Sequence, residues 1–286
     1  MEINSKILEN LDEWQQREGS LPELLEFYKR LLRLQNDVKG QLSIPMLLLP
    51  QDKVADRLRQ GTPLLEWQAL SLDWSAFQNL FLEVGTLAGE FYQAASADSE
   101  RLREIASDTS FLQEATRAWY EEESLSALET NYSVNEEFLS AVIHSTLKPF
   151  LNVHSEVLSK LVDQEQWRRV YCPICGGRPD LALLDKERGA RWLLCSRCDA
   201  QWLFQRLQCP YCGTQDQNSL AYFTDEEGMY RLYVCQQCQS YLKAIDLRQT
   251  EAEVLLPLER VLTLDMDKQG REKGYKSGLT GTMLNA

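Results

Sequence analysis

The sequence has no uninterrupted apolar run that approaches the ~20 residues needed to cross a bilayer. Its longest candidate, IPMLLLP at 44–50, is short and is bracketed by prolines. The first ten residues, MEINSKILEN, are charged and lack the basic segment and apolar core of a secretory signal peptide. These absences predict a cytoplasmic protein that is not inserted in a membrane.

Positive charge is also scarce, since 30 lysines and arginines face 43 aspartates and glutamates, for a net charge of −13. Residues 1–166 have a net charge of −14, whereas residues 167–286 are almost balanced at +1. If eight thiolates there bound two divalent ions, the second part would carry about −3. Because nucleic-acid binding requires a positive field, the charge argues against nucleic acid as a partner.

Histidine is rare as well, with only His144 and His154 in the whole chain. They lie on either side of Pro149, and no cysteine is near them in the sequence. A structural role is favoured for both over zinc binding or catalysis.

The first 165 residues have the periodicity of helices. In LPELLEFYKRLLRLQNDVKG (21–40), apolar residues recur at i, i+3 and i+4, with Ser20 and Glu23 as a capping box and Gly40 as a stop. The next segment, SIPMLLLPQDKV, is predicted to be extended because proline disfavours helix at the residue before it. Further helices are predicted to give a six- or seven-helix bundle, over Asp73–Ala95, Glu100–Ser107, Ser110–Glu123, Val134–Phe150 and His154–Gln166.

The pattern changes at Trp167, where short runs typical of strands alternate with cysteine pairs and polar loops. These runs are RWLLC, QWLFQRLQC and MYRLYVC. Helical character returns in AEVLLPLERVLTLDMDKQGREKG, and the last dozen residues are predicted to be a loose tail.

All eight cysteines lie in CxxC pairs, and the pairs form an internal repeat. CPICGGRP, beginning at Cys172, recurs as CPYCGTQD at Cys209, and LLCSRCDAQWLF recurs as YVCQQCQSYLKA. Each unit is therefore CPxCG, a hairpin length of strand, and a second CxxC. A unit of about 30–40 residues is too small for its own hydrophobic core, so a metal ion is expected to help it fold.

The spacing predicts two Cys₄ metal sites. In each CxxC a tight turn directs two sulfurs at one point, and Gly176 and Gly213 suit the positive φ that closes the turn. The first spacing is within the usual range of Cys₄ sites, and the second is slightly longer. The predicted ligands are Cys172, Cys175, Cys195 and Cys198 in the first site and Cys209, Cys212, Cys235 and Cys238 in the second.

Other pairings stay open at this point. The two middle pairs are separated by ten residues and could share one metal, and an interleaved arrangement is also possible. The repeat favours sequential pairing, with the segment Gln201–Gln208 as a strand that holds the two metals in a fixed relation. A thioredoxin-like dithiol is disfavoured because the region does not resemble a βαβ unit.

Four thiolates suit zinc or a single iron equally well, and a closed Cys₄ site leaves no position for water or substrate. No catalytic metal is therefore predicted. Aromatic residues around the cysteine pairs are predicted to pack the hairpins, and some to face a partner. They are Trp192, Trp202, Phe204, Tyr222, Tyr230, Tyr233 and Tyr241.

The cysteine region resembles the formate dehydrogenase accessory protein family, FdhE. The resemblance is carried by CPICGGRP, RWLLCSRCDAQWLFQRLQCPYCG and YVCQQCQSYLKAIDL, and it continues through IHSTLKPFL and LDMDKQGREKGYKSG. It implies cytoplasmic accessory proteins, not enzymes, that bind the catalytic subunit of formate dehydrogenase and are needed for its activity. It also implies rubredoxin-like modules, with iron as the favoured metal and zinc as the alternative.

Residues and resemblance together predict an α+β protein. A helical N-terminal domain (1–166) is followed by two tandem rubredoxin-like or zinc-ribbon Cys₄ modules (167–207 and 208–250) and by a C-terminal helix and tail (251–286). The predicted function is that of an assembly factor. A rubredoxin-like redox protein and a zinc-ribbon nucleic-acid-binding protein are the alternatives.

Overall fold

The computed structural model describes Ile7, Leu11 and residues 22–43, 50–91, 96–125 and 132–279. The chain divides into two compact units. The helical unit comprises residues 1–43, 67–150 and 280–286, and the sheet unit comprises 44–66 and 151–279. The predicted domain boundaries at 166, 207 and 250 stay predictions.

The α-helices of the described residues are α1 Pro22–Gln41, α2 Gln51–Gln60, α3 Trp74–Phe91, α4 Ser96–Ser107, α5 Thr109–Tyr120, α6 Glu136–Leu158, α7 Leu256–Leu262 and α8 Leu264–Glu272. The core of the helical unit includes the fully buried Phe77, Phe81 and Phe150, and the rings of Phe77 and Phe150 lie 5.7 Å apart. None of the helices in the described part of the chain is long and apolar enough to cross a membrane.

Several predicted helices are confirmed to within a few residues. The first helix occupies Pro22–Gln41, although Ser20 of the proposed capping box lies outside the described residues. Helix α5 begins after Asp108, whose carboxylate accepts a hydrogen bond from the backbone N–H of Phe111 at 3.0 Å, as an N-cap does.

Helix α2 was not predicted, and the prediction of extended structure for residues 51–54 was wrong. The chain is extended at Pro50 and turns into helix at the next residue. Val54 and Leu58 are the buried apolar residues of this helix, so its sequence shows little apolar periodicity. Residues 44–49, the rest of the predicted extended segment, lie outside the described residues.

The prediction of two helices separated near residues 150–154 was also wrong, because α6 continues through Pro149 as one helix. A proline has no N–H, so the carbonyl of Ser145, four residues earlier, loses its helical partner. In this protein the side-chain amide of Gln35 on α1 donates to that carbonyl at 2.7 Å, and the bond is buried. Gln35 thus satisfies the acceptor that Pro149 leaves open.

Replacing Gln35 with leucine is therefore expected to lower the free energy of unfolding by about 1–3 kcal/mol, since a buried carbonyl would lose its donor. Urea unfolding followed by circular dichroism measures the loss. In a Pro149→Ala background the restored N–H can donate to Ser145, so the same substitution should cost less there. An equal cost in both backgrounds would contradict the role given to Gln35.

The strands of the sheet unit are β1 Pro179–Leu184, β2 Arg191–Cys195, β3 Gln201–Phe204, β4 Leu220–Thr224, β5 Tyr230–Cys235, β6 Ser240–Asp246 and β7 Lys276–Ser277. They form one sheet in the order β3-β2-β1-β6-β5-β4, with β7 pairing beside β6. Each cysteine repeat contributes three strands. The apolar runs RWLLC and MYRLYVC are confirmed as β2 and β5, and QWLFQRLQC is confirmed as a strand over its first four residues, β3.

The two repeats are joined by the parallel pairing of β1 with β6, in which Leu181 lies opposite Lys243 and Leu184 opposite Asp246. The predicted strand Gln201–Gln208 is present over Gln201–Phe204 alone, and it lies at the far edge of the sheet from the second repeat. The α+β fold class itself is confirmed, with the two modules sharing a single sheet.

Two short helices, α7 and α8, cover one face of this sheet in place of one continuous helix. Met266 packs with Leu232, Val234 and Tyr241 in one apolar cluster. Gly270 on α8 lies so close to the Tyr241 ring that an added Cβ would come within 2.6 Å of it. The prediction of a loose tail was wrong at Lys276–Ser277, which form β7 against β6, and residues 280–286 lie outside the described residues.

Candidate metal centres

The first four cysteines come together at one point within the sheet unit. The Sγ atoms of Cys172 and Cys198 are 3.6 Å apart, and Cys175 Sγ lies 3.5 Å from the sulfurs of both Cys195 and Cys198. All four thiols are buried.

The second four cysteines form an equivalent cluster. Cys209 and Cys238 have their sulfurs 3.7 Å apart, as do Cys212 and Cys235. In each cluster the four sulfurs lie within 4.8 Å of one another. The structure therefore groups the thiols in sequential order, as the repeat favours, and not as a shared middle site or an interleaved pair.

The sulfur separations identify the chemistry that these clusters suit. Four sulfurs placed about 2.3 Å from one ion in a tetrahedron are about 3.8 Å from each other. A disulfide would require about 2.05 Å. The observed 3.5–3.7 Å is close to the tetrahedral value, so both clusters fit a metal ion bound by four thiolates.

The four turns that position the sulfurs share one backbone conformation. The residue after the second cysteine of every pair has a positive φ, and these residues are Gly176 (75°), Asp199 (56°), Gly213 (77°) and Gln239 (55°). The positive φ predicted for Gly176 and Gly213 is confirmed. Glycine adopts this conformation without strain, and aspartate tolerates it better than most residues.

The CPxC turns also direct backbone N–H groups at the sulfurs. Ile174 N–H donates to Cys172 Sγ at 3.3 Å, and Tyr211 N–H donates to Cys209 Sγ at 3.4 Å. Such bonds stabilise a thiolate, and they occupy the same position in both repeats.

Residues 171–206, which contain the first cluster, match the family model described as FdhE, central domain. The chain is similar to the Protein FdhE homolog of Aquifex aeolicus (strain VF5), with 26% identity over 88% of this chain and 85% of that protein. In sequence, the chain is therefore similar to the FdhE proteins, and the family model matches its first cysteine module.

Two further similarities agree with this. The Protein FdhE homolog of Haemophilus ducreyi is 31% identical, over 44% of this chain and 42% of its own length. The crystal structure of the FdhE protein from Pseudomonas aeruginosa matches with a TM-score of 0.66 and 21% identity, covering 99% of this chain and 94% of that one. The structural match shows that the two share a fold.

The first cluster is closed to solvent, which affects the ionisation of its thiols. Burial raises the pKa of Cys172 and Cys198 well above the usual thiol value, so without a cation they stay protonated. Burial also opposes ionisation of Cys175, but hydrogen bonds from its three neighbours outweigh it and lower its pKa. A bound dication would ionise all four thiols and release their protons.

The second cluster of the FdhE fold differs from the first in exposure. Cys209 and Cys235 are buried, whereas Cys238 is partly exposed and Cys212 is exposed. A metal bound there would lie nearer to solvent than one in the first cluster, because Cys212 is an exposed residue. The two clusters therefore share a ligand set but not an environment.

Arg260 on α7 supports the first cluster, and no sequence pattern predicted this. Its guanidinium is buried and donates to the carbonyl of Cys195 at 2.8 Å. It also donates to Asp180 at 2.6 Å and to Asp199 at 2.5 Å. Burial opposes the charge of Arg260, but the two carboxylates outweigh it and raise its pKa.

Arg191 on β2 holds the segment that leads from the first module to the second. It donates to the carbonyls of Gln205 and Gln208, and its guanidinium lies 5.2 Å from the ring centre of Phe204. Burial lowers its pKa to about 10, so it stays protonated at neutral pH. This interaction also lacked a sequence signal.

The two histidines do not join either cluster. The groups of the described residues that could hold a metal ion consist of the eight cysteines alone. His144 stacks on Trp119 with the ring centres 5.3 Å apart, and His154 is buried. Both positions agree with the structural role favoured by the sequence.

Proposed function

We propose that this chain is an accessory factor for the maturation or activation of formate dehydrogenase, and that it acts by binding the catalytic subunit of that enzyme. The observation that carries the proposal is the pair of Cys₄ clusters in an FdhE fold. The proteins similar to this chain are named Protein FdhE homolog, and the family resemblance of the sequence implies the enzyme as partner.

The chemistry of the clusters supports a role in binding more than one in catalysis. We propose the eight cysteines as ligands of two metal ions, with iron favoured and zinc as the alternative. Four thiolates complete a tetrahedral ion and leave no position for substrate. The metal would then stabilise the sheet unit and the surfaces it presents.

Deletion of the gene in its host tests the proposal. The catalytic subunit of formate dehydrogenase should be present on an immunoblot but inactive, and the full chain supplied from a plasmid should restore activity. Formate oxidation by cell extract is the measurement, and an empty plasmid is the control. Normal activity in the deletion strain would overturn the proposal.

Direct binding provides a second test. The purified chain and the separately purified catalytic subunit should associate in isothermal titration calorimetry, and the metal content of the same sample should be two ions per chain. Restoration of activity without any measurable association would reject the binding step and leave the accessory role standing.

A second candidate, a rubredoxin-like electron carrier, is favoured by one observation. The exposed Cys212 would bring a metal in the second cluster close to the surface, where an electron could reach it. Reversible reduction of iron in the purified protein would support this candidate, and a protein that folds and functions with zinc alone would reject it.

A further inference from the structure

Strand β4 is an edge of the sheet with an unusual exposure. Among the described residues it pairs with β5 alone, and four of its five residues are exposed. They include two large aromatic side chains, Tyr222 at 52% and Phe223 at 42% of full exposure. Both rank among the most exposed large hydrophobic residues of the described chain.

The register with β5 shows which backbone groups face away from the sheet. Asp225 N–H donates to the carbonyl of Tyr230, and Gln236 N–H donates to the carbonyl of Ser219. The backbone groups of residues 219 and 225 therefore point towards β5. Along a strand of an antiparallel pair, the backbone N–H and C=O groups of successive residues point alternately towards the neighbouring strand and away from it. The backbone N–H and C=O of Tyr222 and Thr224 therefore point outward, away from β5.

Sheet edges in proteins are ordinarily blocked by proline, an inward-pointing charge, a bulge or a covering element. The strand LAYFT contains no proline and no charged residue, and its pairing with β5 runs over five residues without a bulge. The strand is thus able to accept another strand on its free side.

The charge beside this edge is negative. The turn that follows β4 contains Asp225, Glu226 and Glu227, all exposed, and the two glutamates form no ion pair with a described residue. The nearby cations are already engaged. Arg231 pairs with Asp246 and lies over the Tyr222 ring at 5.1 Å, and Lys273 lies over the Phe223 ring at 4.3 Å.

We propose that the free edge of β4 binds an extended peptide segment of a partner protein, which pairs with Tyr222 and Thr224 as an added strand. Main-chain hydrogen bonds to an exposed edge give affinity in this kind of recognition, and side-chain contacts give specificity. The segment has apolar residues that contact Tyr222 and Phe223, and lysine or arginine beside the acidic turn.

A second copy of this chain fits the edge less well. Antiparallel pairing of β4 with itself about Tyr222 would place the acidic turn of each copy near the Asp216 end of the other strand. Two chains with a net charge of −13 each would also repel one another. Charge thus favours a basic partner.

This surface deepens the proposed function, since the catalytic subunit would present such a segment, but peptide binding can be measured without that enzyme. Selection from a displayed library of random twelve-residue peptides on the full metal-bound chain provides the probe. Because Tyr222 and Phe223 lie on opposite faces of the sheet, the recovered peptides should have apolar residues at adjacent positions and be enriched in lysine and arginine. No recovery, or recovery of acidic peptides, would overturn the proposal.

Tyr222→Pro is the decisive variant because it removes an outward N–H while every hydrogen bond between β4 and β5 is kept. It should weaken binding of a selected peptide at least tenfold in fluorescence anisotropy, and Tyr222→Ala should weaken it less. Methylation of alternate amides in the peptide should abolish binding to the native chain. Retention of two metal ions and of the melting temperature shows that the variants are folded.

The possible results test the peptide-binding edge of β4 and the proposed function separately. Equal binding to the native chain and Tyr222→Pro would reject the edge as the site. A dimer in sedimentation equilibrium that Tyr222→Pro dissociates would assign the edge to a second copy and overturn the proposal. Peptide binding that depends on Tyr222, in a chain whose deletion leaves formate dehydrogenase active, would reject the function and retain the surface.

Discussion

Replacing Cys172 with alanine is expected to lower the bound metal from two ions to about one per chain. The first cluster would keep three thiols and is too buried for water to take the fourth position. Binding of a structural zinc ion is worth about 10–16 kcal/mol at neutral pH, so the loss should unfold much of the first module. Elemental analysis together with native mass spectrometry measures the partition.

The internal repeat provides a matched control for this substitution. Cys209 occupies the position in the second CPxC turn that Cys172 occupies in the first, and Cys209→Ala should empty the second cluster alone. The double substitution should remove both ions. Loss of both ions from Cys172→Ala alone, with Cys235 and Cys238 no longer ligands, would contradict two independent sites.

Replacing Arg260 with methionine is expected to destabilise the protein by about 3–5 kcal/mol, because removing one partner of a buried ion pair leaves the other charge uncompensated. Asp180, Asp199 and the carbonyl of Cys195 beside the first cluster would each lose the bond to Arg260, although Asn152 would still donate to Asp199. Guanidinium unfolding at neutral pH measures the change. The first metal site should also release its ion to a chelator sooner than the second.

Arg248→Met is the control for Arg260→Met. Arg248 pairs with the buried Asp246, but its own side chain is 34% exposed and Asp246 keeps Arg231 as a second partner at 2.5 Å. The control should cost less than about 1.5 kcal/mol. If both substitutions cost the same, the network around Arg260 has no special role in holding the first cluster.

The candidate site was predictable because its determinants are local. A CxxC turn fixes two sulfurs within four residues, and the repeat then indicates which pairs belong together. The positive φ at Gly176 and Gly213 follows from the same turn. Asp199 and Gln239 have the same positive φ, which could not be predicted from the sequence because neither residue is glycine.

The features that were missed depend on residues far apart in the chain. Helix α6 continues through Pro149, and the donor that the Ser145 carbonyl lacks there comes from Gln35, more than a hundred residues earlier. Arg260 reaches the first cluster from 65 residues beyond Cys195. Periodicity and spacing depend on residues that are close in the sequence, so they could not predict the contacts of Gln35 and Arg260.

The pairing of β1 with β6 has a consequence for synthesis on the ribosome. Lys243 is added 62 positions after Leu181, the residue opposite it. At about 5–20 residues per second, the chain grows for about 3–12 seconds before the part of β6 that pairs with Leu181 is synthesised. Cys198, the last ligand of the first cluster, is added 17 positions after Leu181. For the remaining 45 positions the first module could take up an ion, while the side of β1 that later pairs with β6 has no partner strand. The nascent chain thus passes through a stage in which the first cysteine module is complete but one edge of β1 is unpaired, and translation speed sets how long that stage lasts.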